Sequence, residues 1–315
     1  MLSVDRLRVL HAVANQGSVS GATAMLHVTT SAVSQQIAKL ERETGERLLE
    51  PNGRRVRLTD AAELLVAHAS RILSLVEEAE SELDSHRDAV VGRLSFAAFA
   101  TAARGLAPAA VRRLLDRYPR LLVTLSELEP DAAIPLVSRG DLDLAVVQDW
   151  FNAPLALSDG LMRRPLLDDV VDVALPLEHP LARRGRVIEL DELAGQPWIS
   201  WTPGAVCHDW LLLTLRERGV EPKVVHTAGE HQTQLALVAA GLGAAVIPRL
   251  GRGRIPDGVE MVAVRPALSR HVYAVWRATA AKRRAIDAAL DALTNAAEQA
   301  TDGARGHQSL SSSKA

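Results

Sequence analysis

A single cysteine, Cys207, serves a chain of 315 residues, so no disulfide can form within it, and a reducing cytoplasm is its expected home. The first ten residues, MLSVDRLRVL, lack the apolar stretch and cleavage site of an export leader. The longest nearly apolar run, Leu235 to Pro248, is too short and too interrupted by glycine to span a bilayer. Charge of one sign is not in excess either: the formal net charge of −2 fits neither a disordered polyelectrolyte nor a histone-like chain. Motifs for covalent or metal chemistry are also missing. There is no nucleophile elbow, no close metal-ligand spacing and no complete phosphate loop, and Gly241-Leu242-Gly243 lacks the lysine such a loop needs. An enzyme is therefore the weaker expectation, and no cofactor or metal is implied.

What is present is local asymmetry. Residues 1–60 carry eight Lys and Arg against six Asp and Glu, whereas residues 61–91 carry two against seven. The sign flips where one structural segment gives way to another. Apolar spacing predicts a helix from Val4 to Asn15, stopped by Gly17, and a second from Val19 to Leu26 with Ser18 as its N-cap. His27-Val28 makes a turn. Thr29 or Thr30 caps a third helix that runs to Glu43, where Gly45 stops it. Its Ala32, Val33, Ile37 and Leu40 face inward, leaving Ser31, Ser34, Gln35, Ala38 and Lys39 outside.

That outer row suits close approach to nucleic acid. Glutamine can bond adenine in bidentate fashion, and Ser or Thr hydroxyls reach bases or phosphates. Lys39 is equally a phosphate contact or a solvated charge. Asn52-Gly53 signals a hairpin turn, and Arg54, Arg55 and Arg57 after it suit the phosphate backbone or a minor groove. Two helices, a tight turn and a basic hairpin make a winged helix-turn-helix over residues 1–58. The plainer alternative is a polar surface helix beside a solvated turn.

A long helix is expected from Thr59 to Asp88 within a linker of residues 59–91. Leu58, Ala62, Leu65, Ala69, Ile72, Val76, Ala79 and Leu83 follow one another at spacings of four and three, which is a heptad seam. A narrow stripe on a long polar helix fits a partner helix in a homodimer; packing against its own domain is the alternative.

Beyond Gly92 strands alternate with helices, in two runs, which argues for parallel α/β sheets in two lobes with a cleft. The first run has strands at Arg93–Ala98, Leu121–Leu128 and Leu142–Val147, with helices at Ala102–Tyr118 and Ala132–Ser138. Met162 to Leu167 connects it to the second, with strands at Val170–Leu175, Trp198–Trp201, Val224–Thr227 and Ala244–Ile247 and helices at Val206–Arg218 and Gln232–Ala240. An apolar helix from Thr279 to Glu298 packs back on the first lobe, and residues 301–315 form a polar tail expected to be disordered.

At this point the ordered set of motifs resembles the LysR-type transcriptional regulators over nearly the whole chain. The resemblance is carried by GSVSGATAMLHV, SAVSQQIAKLE, GERLLE and RRVRLTDAA, then by RGDLDLAVV, EHPLA and LVAAGLGAAVIP. It implies an α+β multidomain protein: the winged helix-turn-helix, a dimerising linker helix, and a two-lobed effector domain like a type 2 periplasmic binding protein, at residues 92–300. Lobe one then takes residues 92–162 and 267–300, and lobe two 163–266. It also implies tetramer assembly and binding to dyad-symmetric promoter DNA. Thr30 and Ser31 stand where Gln and Pro are common, so base preference is not carried over.

In such domains ligands lie outside the carboxyl ends of the strands. That picks out Phe99 and Thr101, Gln148 and Asp149, Thr202 and Gly204, and Glu230 and His231. Thr101 and Thr202 resemble the family's inducer-site hydroxyls. Helix N-termini favour anions, so a small anionic effector is expected, although Asp149 and Glu230 oppose it; the alternative is that both threonines merely cap helices. Cys207 near this cleft is read as a buried structural thiol rather than a redox sensor, and His208, His226 and His231 as ordinary histidines rather than metal ligands. Against effector control stands an architectural DNA binder with an empty cleft.

Overall fold

The computed structural model describes residues 1–26, 28–52, 55–86, 90–184 and 187–312. The chain forms two compact units. The first is Met1–Ala89 with Arg139–Asp141 and Ala278–Arg284; the second is Val90–Ser138, Leu142–Arg277 and Ala285–Ala315.

The first unit holds α1 (Val4–Gln16), α2 (Val19–Leu26), α3 (Thr30–Thr44), a hairpin of β1 (Leu49–Asn52) and β2 (Arg55–Leu58), and α4 (Asp60–His86). Gly17 ends α1 at φ 60°, a left-handed turn that costs glycine little. Four residues on, Gly21 lets α2 press against the end of α1, since a Cβ there would meet the Gln16 Cβ at 2.7 Å. Leu10, Val13, Val33, Ile37, Leu40 and Leu48 bury into one core. Glu41 ties the hairpin to α3: its Oε1 accepts the Leu48 N–H at 2.8 Å and the Leu49 N–H at 3.4 Å.

The expected heptad seam divides. Ala62 is fully buried in the core of this unit, with Leu58 and Leu65 packed on it. Farther along the seam, Ile72 and Val76 are half-buried, Ala79 is exposed and Leu83 is 63% exposed; Leu75, beside the seam, is exposed as well. The first turns of α4 therefore pack on their own domain, as the alternative held, while the later turns leave apolar groups uncovered in the single chain.

The second unit comprises β3 (Gly92–Ala98), α5 (Ala100–Gly105), α6 (Ala107–Arg117), β4 (Leu121–Glu127), α7 (Pro130–Arg139) and β5 (Leu144–Trp150), followed by β6 (Leu161–Pro176). Then come α8 (Pro180–Arg184), β7 (Val187–Glu189), β8 (Pro197–Ser200), α9 (Val206–Arg216), β9 (Lys223–Thr227), α10 (His231–Ala239) and β10 (Ala244–Pro248). It closes with β11 (Val259–Arg265), β12 (Leu268–Arg277) and α11 (Arg284–Ser312). The main strand order is β4-β3-β5-β12-β6-β10-β8-β9. Three parallel strands at each end form the two lobes. The long antiparallel pair β6 and β12 runs between them.

Several elements differ from the sequence expectation. The helix expected over Ala102–Tyr118 is two, broken at Leu106, because Pro108 starts α6 and cannot continue a helix from the preceding turn. Met162–Leu167 and Val170–Leu175 are one strand of sixteen residues; Arg163, Arg164, Asp168 and Asp169 mask its continuity. Neither β11 nor β12 was expected. The last helix starts at Arg284 and runs through Ser312, past the expected end at Glu298 and into the segment expected to be disordered. No proline falls in that stretch to stop it.

Candidate nucleic-acid interface and effector cleft

In the first unit, α3 buries Val33, Ile37 and Leu40 and exposes Thr30, Ser31, Ser34, Gln35, Ala38 and Lys39. Its start is fixed by Thr29, whose hydroxyl accepts the Ala32 N–H at 3.2 Å and lies 3.0 Å from the Ser31 hydroxyl. Ser18 caps α2 in the same way, accepting the Gly21 N–H at 3.0 Å. The helix is also braced from behind: Arg6 of α1 makes a two-pronged pair with Glu43, at 2.7 and 3.0 Å. A rigid helix with short polar groups on its free face is the arrangement base-edge reading requires. Arg55 opens β2, while Arg54 and the turn residue Gly53 lie outside the described residues.

In the second unit, the carboxyl ends of β3, β5 and β8 meet at the lobe junction around a residue the sequence reading passed over. Arg270, on β12, is 1% exposed. Its Nε donates to Asp169 at 2.9 Å, its Nη2 to the Thr101 hydroxyl at 2.6 Å, and its Nη1 to the Gln148 Oε1. The guanidinium also sits 5.0 Å from the centre of the Phe99 ring. Cross-strand register sets the ion pair, because Arg270 lies directly opposite Asp169 on β6. A burial of this depth is tolerated only because the charge is paired and its donors are bonded.

Gln148 then reaches across to lobe two, its Nε2 donating to the Cys207 Sγ at 3.6 Å. Burial pushes the Cys207 thiol up to about 12, so the thiolate is scarce at neutral pH. His231, the first residue of α10, stands edge-on to Trp201 with ring centres 5.5 Å apart. Burial, then the charges of Arg270 and Arg104, lower its imidazole to about 3, so it is neutral. A loop of lobe two closes on α5. Gly251 is needed there, since a Cβ would meet the Thr101 carbonyl oxygen at 2.2 Å, and Arg104 Nε donates to the Gly251 carbonyl at 3.1 Å. Asp169 holds this loop as well, accepting the Leu250 N–H at 2.9 Å.

Phe99, Thr101 and Gln148 are thus gathered around Arg270, whose charge also acts on His231. Thr101 does not cap its helix; its hydroxyl accepts from Arg270. Thr202 and Gly204 lie on the exposed turn after β8. Glu230 is exposed and caps α10, accepting from the Thr233 N–H and hydroxyl, each at 3.1 Å. Asp149 points to the other face of the sheet, where it accepts from the Leu155 N–H and the Tyr273 hydroxyl. It therefore no longer counts against an anion in the cleft. His208 Nδ1 lies 2.9 Å from the Trp201 carbonyl oxygen and 3.2 Å from the Ser200 hydroxyl, and His226 sits on exposed β9. The signal for Arg270 was available: Leu268, Arg270 and Val272 alternate inward along β12, and a cation on an inward row demands a partner.

A winged helix-turn-helix followed by a long helix and a two-lobed α/β domain with a charged junction defines a DNA-binding transcriptional regulator under effector control. The chain matches the family described as "Bacterial regulatory helix-turn-helix protein, lysR family" over residues 4–63, and "LysR substrate binding domain" over residues 87–298. It belongs to the LysR family. Among curated relatives, a probable RuBisCO transcriptional regulator of Chlorokybus atmophyticus is 32% identical, over 60% of this chain and 60% of its own length. A probable cat1 operon transcriptional activator of Acinetobacter lwoffii is 31% identical over 80% of this chain and 82% of its own. Full-length OxyR from Pseudomonas aeruginosa, solved as a variant, superposes with a TM-score of 0.74 at 23% identity, covering 93% of this chain and 95% of that one. At that identity the likeness speaks for the fold. Among the described residues no helix is long and apolar enough to cross a membrane.

Proposed function

We propose that the protein is a cytoplasmic regulator that binds dyad-symmetric promoter DNA as a homodimer, with dimers assembling to tetramers, under control of a small anionic effector. Residues 1–58 read DNA, residues 59–91 dimerise, and residues 92–300 hold the effector. The observation that carries this reading is the exposed polar row on α3 behind which every large apolar residue is buried. Ser34 and Gln35 contact base edges. Ser18, Thr29, Thr30, Ser31 and Lys39 position the helix on phosphates or at its ends, and Arg54 and Arg55 bind the backbone from the wing. Ile72, Val76, Ala79 and Leu83, half-buried or exposed in the single chain, supply the dimer seam. Phe99, Thr101, Gln148, Thr202, Gly204, Glu230 and His231 surround the effector, with the charge supplied by Arg270.

A gel-shift assay on the promoter region beside the gene, with and without small carboxylates, tests the reading. It predicts a discrete complex whose mobility or affinity changes with a carboxylate. A complex indifferent to sequence and to every added compound supports the architectural alternative instead.

A further inference from the structure

We propose that Arg270 recognises the effector's charge: its guanidinium, with the Thr101 hydroxyl and His231 Nε2, forms the receptor for the carboxylate of a small organic anion. The assignment rests on the reading of the lobe junction as the effector site. It goes further in naming one residue, on the β12 crossover strand, as the source of specificity.

The partners of Arg270 suggest an exchange. Of the three groups that accept from it, only Asp169 carries charge; Thr101 and Gln148 are neutral acceptors. Guanidinium bonds to a carboxylate are shorter and roughly twice as strong as bonds between neutral groups, and a planar fork suits two oxygens. An incoming carboxylate therefore replaces the two neutral acceptors at a gain. The Thr101 hydroxyl loses nothing in the exchange, because it can turn from accepting a hydrogen bond to donating one.

His231 supplies an independent observation. It is 6% exposed, and its Nε2 has no hydrogen-bond partner among the described residues. A buried polar atom left unpaired costs free energy. In the tautomer that carries hydrogen on Nε2, the neutral ring offers a donor to an anion. Arg270 and Arg104 both act on this imidazole, which places it in a positive field. Asp149 faces away. Asp169 is paired with Arg270, and burial raises the Glu129 carboxyl while the charge of Arg270 opposes that shift. Arg104 adds a second positive charge acting on the ring. A cationic ligand would have to be seated against both guanidiniums.

The test compares each acid with its amide: benzoate with benzamide and succinate with succinamide, on the full-length protein at constant ionic strength. The readouts are melting temperature and tryptophan emission. A site built for a carboxylate has to register these generic acids at tens of millimolar. Arg270→Met alone strands Asp169 in the core, so the informative variant is the double change Arg270→Met with Asp169→Asn, which leaves no unpaired charge. The proposal expects the acids, and not the amides, to raise the melting temperature of the natural protein. It also expects the double variant to bind them about tenfold more weakly or worse, and His231→Phe to weaken them by a smaller factor while still folding. An undiminished response to the acids in the double variant overturns the assignment of Arg270. Binding of the amides in preference to the acids overturns it too, and leaves the cleft as an effector site for neutral compounds. Silence from acids and amides alike removes both this assignment and the anionic-effector reading.

Discussion

The Nη2 of Arg270 donates to the Thr101 hydroxyl at 2.6 Å, joining the crossover strand β12 to the first helix of lobe one inside a wholly buried junction. Replacing Thr101 with Val keeps the shape and removes the acceptor. A hydrogen bond to a charged group contributes about 1.5–3 kcal/mol, and Thr101→Val should lose stability on that scale in urea melts. A variant as stable as the natural protein would show that the bond holds nothing together.

Glu41 offers a parallel test in the DNA-reading unit. Its carboxylate is the acceptor for the backbone of the wing strand. Glu41→Ala should lower stability by about 1–3 kcal/mol, because it leaves the Leu48 N–H without its partner. Glu41→Gln keeps an acceptor oxygen and should lose less. Equal losses in the two variants would mean that charge, not the hydrogen bond, sets the wing.

Cys207 should behave as an inert thiol. Its thiol is pushed up to about 12 by burial, and the thiolate is the reactive form. Iodoacetamide at mildly alkaline pH should label the unfolded protein and spare the folded one. Rapid labelling in the native state would reopen a redox role.

The neutral imidazole of His231 gives a pH dependence of definite sign. Its pKa falls from 6.5 in the unfolded chain to about 3 in the fold. The stability it preserves is complete above about 6.5 and is lost progressively as pH falls toward 3. His231→Gln removes that loss, so the melting temperature of the natural protein minus that of the variant should fall from neutral pH to about 4. A difference that rises on acidification would contradict the buried neutral ring. His11, which burial also holds low, titrates alike in both proteins and cancels in the comparison.

The DNA-reading unit was legible because its signals are local. Gly17 and Gly45 stop helices where the spacing said, Ser18 and Thr29 cap the next ones, and Val33, Ile37 and Leu40 mark an inner face by period alone. The α/β run was legible wherever a strand was short and apolar, as at β8 and β10. The crossover strands were not. β6 carries paired charges along a half-exposed length, and β12 hides Arg270 in an apolar row, so their pairing depends on register between segments about a hundred residues apart. For the same reason Thr101 could be placed at the cleft while its partner could not. The seam of α4 was read as continuous, but Ala62 belongs to the domain core, and period alone does not distinguish a helix neighbour in the same chain from one in another.

The central claim, that α3 reads sequence in pairs, is tested most directly by selecting bound fragments from random duplex DNA with the full-length protein and repeating the selection with Gln35→Ala. The account predicts enrichment of one dyad-symmetric motif by the natural protein, and relaxed preference at a base pair in each half-site with the variant. The loss there should be about 1–3 kcal/mol of discrimination. Lys39→Ala should instead weaken all sequences alike and reduce the salt dependence if that lysine meets a phosphate. Failure to enrich any motif, or a motif without dyad symmetry that Gln35→Ala leaves untouched, would contradict the account.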